Sequence, residues 1–160
     1  MTARGIRNNN PLNIEKGADW QGLNPDQSSD DRFAVFMAPK YGFRAAAIIL
    51  LGYQKKHGLN SIAAIIGRWA PPVENDTGAY AAAVSREVGV QPGDAVKLTE
   101  AAILLPLLRA MCRHENGSCP YDDQTIEAGM KLAGVERPET PADFSNVESG
   151  VTSTAPEVKS

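Results

Sequence analysis

The stretch LTEAAILLPLLRAMCRHENGSCPY, residues 98–121, holds the feature on which the fold depends most, a long apolar segment that ends in polar residues. The apolar segment predicts a helix that opens at Thr99, continues through Pro106 and reaches about Arg113. A single carboxylate, Glu115, follows between a histidine and an Asn-Gly turn. The stretch therefore predicts a buried helix with an acidic side chain at its C-terminal end.

Helical spacing of apolar residues recurs on both sides of this stretch, with capping residues and helix breakers between the runs. The predicted limits of these helices are Pro39 to Gly58, Asn60 or Ser61 to Pro71, Asp76 or Thr77 to Gly89, and Asp122 or Asp123 to Gly134. Together with the apolar stretch, the sequence predicts about five helices.

The first forty residues differ from the rest because they are rich in Asn, Asp, Gly and Pro. Two short segments, residues 12–15 and 32–36, predict strands separated by turn-forming residues. We therefore predict a mainly α protein of the α+β class, with a small N-terminal β-hairpin region.

Length and composition limit the remaining organisation. A chain of 160 residues is long enough for one domain with a hydrophobic core, which we assign to residues 1–135. Residues 136–160 have little apolar content, so they predict a flexible acidic tail. The net charge is −3 and there is no basic face, which argues against a nucleic-acid partner. We expect cytoplasmic synthesis without a signal peptide and without membrane insertion, because no apolar run is long enough.

Glu115 is the candidate catalytic residue. The unpaired carbonyls at a helix end carry partial negative charge, which disfavours an anionic side chain there, and burial acts in the same direction. A carboxyl group that keeps its proton is what general-acid catalysis on a glycosidic oxygen requires. The alternative is a solvated glutamate at a helix end without a chemical role.

Polar and aromatic residues around the turns are the candidate contacts to a sugar. Asparagine amides suit acetamido and hydroxyl groups, and an aromatic ring can stack on a pyranose. The alternative is that the asparagine side chains hydrogen-bond the backbone of their own loop. Trp69 could line a groove as well, but a position in the core is favoured for it. The candidate substrate-binding residues are Asn9, Asn10, Asn13, Trp20 and Tyr80, and the candidates for a second acid are Asp30 and Asp31.

Neither a metal nor a cofactor is predicted. Cys112, Cys119 and His114 do not have the spacing of a zinc site, and no phosphate-binding or zinc-protease motif occurs. The two cysteines either close a small loop around Glu115 in an oxidising compartment or remain free thiols.

Several segments resemble one group of phage and prophage proteins, described as virion structural or virion-associated, lysozyme-like proteins. They are RGIRNNNPLNIEKGADWQGL, FAVFMAPKYGFRAAAIIL, GLNSIAAIIGRWAPPVENDTGAYAAAV and RHENGSCPYDDQTIEAG, and the likeness spans roughly residues 4–134. NNNPLNIEKGADWQG with the following aromatic segment is also similar to the hairpin of bacterial glucosaminidases. In those enzymes the catalytic glutamate precedes the hairpin, whereas Glu115 follows it here, which implies a permuted order.

The resemblance implies a virion-associated protein that cleaves the glycan strands of peptidoglycan by general-acid catalysis, as a muramidase or lytic transglycosylase. Its partners would be peptidoglycan strands and other virion proteins, and it would act in the periplasm. The alternative is a non-catalytic virion or tail protein with a lysozyme-like fold.

Overall fold

The computed structural model describes residues 2–73 and 75–138, and these residues form six helices. The helices are α1 (Arg4–Arg7), α2 (Pro39–His57), α3 (Ile62–Trp69), α4 (Thr77–Val88), α5 (Ala101–Asn116) and α6 (Asp123–Leu132). The five helices predicted from spacing correspond to α2–α6, whereas α1, a single turn, has too few residues to show a period.

The α+β class with an N-terminal β-hairpin is wrong. The described residues contain no strand, and the two predicted strands share only one isolated antiparallel bridge, between Glu15 and Phe33. A second isolated bridge joins Leu23 and Phe36. Residues 8–38 are therefore an ordered loop, here called the N-terminal loop, which lies against the helices.

Side-chain amides explain why this loop does not become a hairpin. The Asn10 amide accepts a hydrogen bond from the Ile14 N–H and donates to the carbonyls of Ile14 and Ala34. Gln27 likewise bonds the N–H and the carbonyl of Val35. These amides satisfy backbone groups that a strand ladder would otherwise pair, so the loop is stable without a ladder.

Local capping chemistry sets the helix limits. The side chains of Ser61, Asp76 and Asp122 accept a backbone N–H in the first turns of α3, α4 and α6. Glycine at the left-handed position ends α2, α4 and α5. Because Gly117 ends α5, Glu115 lies in the last turn of that helix.

The core forms around α5, whose Leu104, Leu107, Leu108 and Met111 are fully buried. Helix α4 packs against α5 and α3, and α2 packs against α6. The last pair can approach closely because Gly129 has no side chain. A Cβ at that position would lie 2.6 Å from the Cβ of Phe43.

Two further predictions concern the C-terminal tail and membrane insertion. The predicted tail begins at residue 136, and residues 139–160 lie outside the described residues. Within residues 2–73 and 75–138, no helix combines the length and the hydrophobicity that crossing a membrane requires.

Candidate functional site

An open groove with a volume of about 370 Å³ runs between the N-terminal loop and the helices. Residues 12–15, 32 and 33 of the loop form one wall, and α2 and the end of α3 form the other. Its polar lining residues are Asn13, Glu15, Arg32, Tyr53, Trp69, Asn75 and Glu115.

Glu115 is half-buried in this groove, where side chains from three other segments donate hydrogen bonds to it. The Tyr80 hydroxyl donates to Oε2 at 2.9 Å, and the Trp69 indole N–H donates to the same oxygen at 3.3 Å. The Asn13 amide donates to Oε1 at 3.2 Å. The carboxyl group is therefore fixed in position rather than mobile at a helix end. That it is catalytic stays a prediction.

Tyr80 is a buried residue of α4 and serves as a neutral hydroxyl beside Glu115. Burial, and then the neighbouring Glu115 carboxylate, raises the pKa of Tyr80 far above its usual value. Its ring stacks on His114 with centroids 3.7 Å apart. The stack and the hydrogen bond together hold the hydroxyl against Oε2.

Asn13 reaches Glu115 from a left-handed backbone conformation. Its φ of 55° is in the region that asparagine tolerates better than most residues other than glycine. Its side-chain oxygen is buried and has no hydrogen-bond donor among the described residues. The same holds for the side-chain oxygen of Asn116, whose amide donates to the carbonyls of Pro11 and Cys112.

Both of these oxygens face Gly5. A Cβ at Gly5 would lie 2.5 Å from the Asn116 Oδ1 and 2.8 Å from the Asn13 Oδ1, and also 2.8 Å from the Asn10 carbonyl oxygen. The Cα hydrogen that takes this direction in glycine therefore meets three oxygens as a weak C–H donor. Gly5 of α1 therefore packs directly against the Asn13 side chain, whose amide donates to Glu115.

The other predicted sugar contacts lie outside the groove. Asn10 is fully buried and bonds the loop backbone, and the Asn9 amide donates to the Phe36 carbonyl. Trp20 packs partly buried against the core and does not line the groove. Of the five predicted contacts, Asn13 and Tyr80 hydrogen-bond Glu115, and of these two only Asn13 lines the groove.

Asp30 and Asp31, the candidates for a second acid, do not line the groove either. The Asp30 side chain is 1% exposed and accepts hydrogen bonds from Arg4 at 2.7 and 2.8 Å and from Asn8 at 2.8 Å. Its Oδ1 also accepts the backbone N–H groups of Arg32 and Phe33. Asp30 therefore shapes the turn that places these two residues in the groove wall.

This ion pair predicts a loss of stability in acid. The Arg4 guanidinium holds the pKa of Asp30 well below its usual value of about 4. Because the folded pKa is the lower one, the contribution of Asp30 to stability is complete above about pH 4. It is lost as the pH falls from there towards the folded pKa.

Asp30→Asn is expected to lower the free energy of unfolding at pH 7 by about 2 kcal/mol, since a hydrogen-bonded charge is removed beside a partly exposed arginine. Urea unfolding at pH 7, 5 and 3 measures this effect, and the difference from wild type should shrink at pH 3. Asp31→Asn is the matched control, because the Asp31 side chain is 97% exposed. A constant difference at all three pH values would contradict the assignment.

Five polar groove residues were not among the predicted site residues, namely Glu15, Arg32, Tyr53, Trp69 and Asn75. Glu15 and Arg32 form an ion pair at 2.9 Å, and Tyr53 packs edge-on against Trp69. A core position was favoured for Trp69, yet its indole N–H bonds Glu115. The sequence allows Trp69 either to line a groove or to pack in the core, and the ring does both, since it also packs against the core.

Cys112 and Cys119 are free thiols close to the end of α5. A hydrogen bond from Cys112 lowers the pKa of Cys119, and the same contact together with burial raises the pKa of Cys112. Cys112 is buried behind the helix turn that carries Glu115 and does not line the groove.

No protein-family model matches the chain. The chain is similar to protein P5 of Pseudoalteromonas phage PM2, with 42% identity over 133 residues. The aligned region covers 81% of this chain and 81% of P5. A likeness of this extent shows common descent, and the chain therefore belongs to the family of protein P5 of Pseudoalteromonas phage PM2.

Proposed function

We propose that this protein is a structural component of a phage particle, in contact with other virion proteins. The support is its membership in the family of a phage protein, over 81% of both chains. The sequence resemblance of residues 4–134 to virion-associated proteins adds to it.

The test is the composition of purified particles. Mass spectrometry of particles from two successive density gradients should find this chain in a constant ratio to the major coat protein. Its presence only in the unassembled fraction of the lysate would contradict a virion role.

A second candidate function, cleavage of peptidoglycan glycan strands, is favoured by one observation. Glu115 is a half-buried carboxyl group, fixed by three hydrogen bonds, at the lining of an open groove. A groove of about 370 Å³ is within the range of small-ligand sites. Aromatic side chains at Tyr53 and Trp69 provide apolar surface for a sugar ring beside the carboxyl.

In this reaction Glu115 gives its proton to the oxygen that joins two amino sugars, while the bond from that oxygen to the anomeric carbon breaks. The oxocarbenium-like centre is then attacked by the 6-hydroxyl of the same sugar or by water, and the proton lost from the nucleophile restores Glu115. The internal attack needs no second carboxylate. If Glu15, which lines the same groove, acted as the base for water, it would take the proton of the water, and Glu115 would regain its own proton from solvent. Asp30 and Asp31 do not line the groove.

Tyr80 differs from the other two side chains that hydrogen-bond Glu115. The Trp69 indole and the Asn13 NH₂ group only donate hydrogen bonds, whereas a tyrosine hydroxyl both donates and accepts. Rotation of the Tyr80 O–H therefore satisfies Oε2 as a carboxylate and as a carboxylic acid. This arrangement supports a role for Glu115 in proton transfer.

Cleavage is tested with purified sacculi. The folded wild-type protein should release soluble muropeptides, and their ends distinguish the acceptor, as 1,6-anhydro sugars for the internal attack or reducing sugars for water. A folded protein that releases nothing would contradict the cleavage function and leave the structural one standing.

Tyr80→Phe is expected to lower the rate of muropeptide release about tenfold, because the hydroxyl that accompanies the proton of Glu115 is lost. The phenyl ring fills the same space, so the fold should lose only about 1 kcal/mol. Release rates and thermal unfolding of the same preparations measure both effects. Tyr41→Phe, outside the groove, is the control, and equal rates for both variants would count against a role of Tyr80.

A further inference from the structure

Arg32 is the cationic residue of the groove. In the part of the chain that the structure describes, it alone among the residues lining the groove carries a positive charge. Its side chain is 58% exposed, so it is accessible to a ligand in the groove. Two carboxylates, Glu15 and Glu115, line the same groove.

The position of Arg32 is fixed by its surroundings. Its backbone N–H donates to Asp30, and its guanidinium lies over the Phe33 ring at 4.9 Å from the centroid. Arg4, which is paired with Asp30, lies over the same ring at 4.7 Å. A side chain held in this way loses less conformational entropy on binding a ligand than a free surface arginine does.

Part of the guanidinium has no partner in the protein. The Nη2 atom donates to Glu15 at 2.9 Å, and Nη1 and Nε of the guanidinium have no hydrogen-bond acceptor among the described residues. A guanidinium offers five N–H donors and binds a carboxylate through two parallel hydrogen bonds. The guanidinium N–H groups without a partner can therefore bind a carboxylate through paired hydrogen bonds, which a hydroxyl group cannot form.

We propose that Arg32 binds a carboxylate attached to a sugar in the groove, so that the protein prefers an acidic glycan to a neutral one. This inference rests on the proposed glycan-cleaving function and adds the substrate feature that the groove recognises. In peptidoglycan the carboxylate has two sources, the lactyl ether of muramic acid and the peptide linked to it. Both present the same chemistry to the guanidinium.

The test compares three disaccharide probes in NMR titrations, in which the ligand signals also report any cleavage. The probes are di-N-acetylchitobiose, which is neutral, N-acetylglucosaminyl-N-acetylmuramic acid, which carries the lactyl carboxylate, and the corresponding disaccharide peptide. The wild type is expected to bind at least one acidic probe about tenfold more tightly than the neutral one. Added salt should reduce that preference, and the two acidic probes distinguish the source of the carboxylate.

Arg32→Gln should lower the affinity for the acidic probe about tenfold more than the affinity for chitobiose, so that the preference disappears. Arg32→Lys should retain only part of it, because lysine keeps the charge but not the paired donors. Arg86→Gln is the matched control, since Arg86 is exposed on α4 and does not line the groove.

The outcomes separate this inference from the function it rests on. Equal affinity of the wild type for neutral and acidic probes would overturn the role of Arg32 and leave glycan binding intact. An equal loss for all probes in Arg32→Gln would also overturn it, because that is the effect of a structural residue. Failure of the folded wild type to bind any probe would contradict the glycan function itself.

Discussion

Glu115→Gln is expected to lower the release of muropeptides from sacculi by about 10²–10⁴-fold, the usual contribution of a positioned general acid. Glutamine has nearly the same shape, and its side-chain oxygen can accept the hydrogen bonds of Tyr80 and Trp69 at the position of Oε2. What it lacks is a proton to give to the leaving oxygen. The variant should therefore stay folded while its activity disappears.

One local conflict accompanies this substitution. The new NH₂ group would face the Asn13 amide, which now donates to Oε1. Two donors in contact cost about 1–3 kcal/mol unless one of them turns. Near-UV circular dichroism and thermal unfolding measured on the same sample show that the fold is retained. Loss of activity through unfolding is thereby separated from loss of the proton.

The control for this experiment is Glu100→Gln, which removes an exposed carboxylate outside the groove. It should release muropeptides at the wild-type rate. If Glu115→Gln does so as well, Glu115 is not the general acid, and Glu15, the other carboxylate that lines the groove among residues 2–73 and 75–138, is the next to replace.

Gly5→Ala is expected to destabilise the fold next to the candidate site. The added methyl group would collide with three oxygens, those of the Asn13 and Asn116 side chains and the Asn10 carbonyl. Overpacking of this kind costs about 1–3 kcal/mol. The two side-chain oxygens can turn away, whereas the backbone carbonyl cannot, so a loss of about 2 kcal/mol in the free energy of unfolding is expected, with a melting temperature lower by about 6 °C.

Gly52→Ala is a matched control on α2. A Cβ at Gly52 would meet no atom within 4 Å, and alanine favours a helix interior over glycine by about 1 kcal/mol. The two identical substitutions should therefore change the melting temperature in opposite directions. A Gly5→Ala protein that unfolds at the wild-type temperature would show that Asn13 and Asn116 are not packed against Gly5.

The helices were predictable because their signals are local. The spacing of apolar residues, the caps at Ser61, Asp76 and Asp122, and the glycines after α2 and α4 lie within a few residues of the structure they produce. The N-terminal hairpin was wrong for the opposite reason. Asn10 bonds the carbonyl of Ala34, 24 residues away, and nothing in the local sequence distinguishes such an amide from a solvated one.

The residues of the candidate site likewise fall into those that the sequence indicated and those that only the fold identifies. The sequence indicated Glu115, and two of the candidate contacts, Asn13 and Tyr80, donate hydrogen bonds to it. Asn13 lines the groove, whereas Tyr80 is buried and reaches Glu115 without lining it. Asn9 shares the left-handed backbone of Asn13, with a φ of 53°, yet its amide bonds the Phe36 carbonyl. Residue type and local backbone conformation therefore do not reveal which asparagine reaches the groove. Arg32 lies in the same groove wall as Asn13, and only the folded structure shows that it lines the groove.

The hydrogen bond from Asn13 to Glu115 joins residues 102 positions apart in sequence. A ribosome makes the first of these long before the second, so a growing chain carries one wall of the cleft for most of its synthesis without the acid that completes it. The hydrogen bond between Asn13 and Glu115 can therefore form only after the last turn of α5 has been synthesised and has packed against the N-terminal loop. Any truncation ahead of that turn would remove Glu115 together with α6, the helix against which α2 packs.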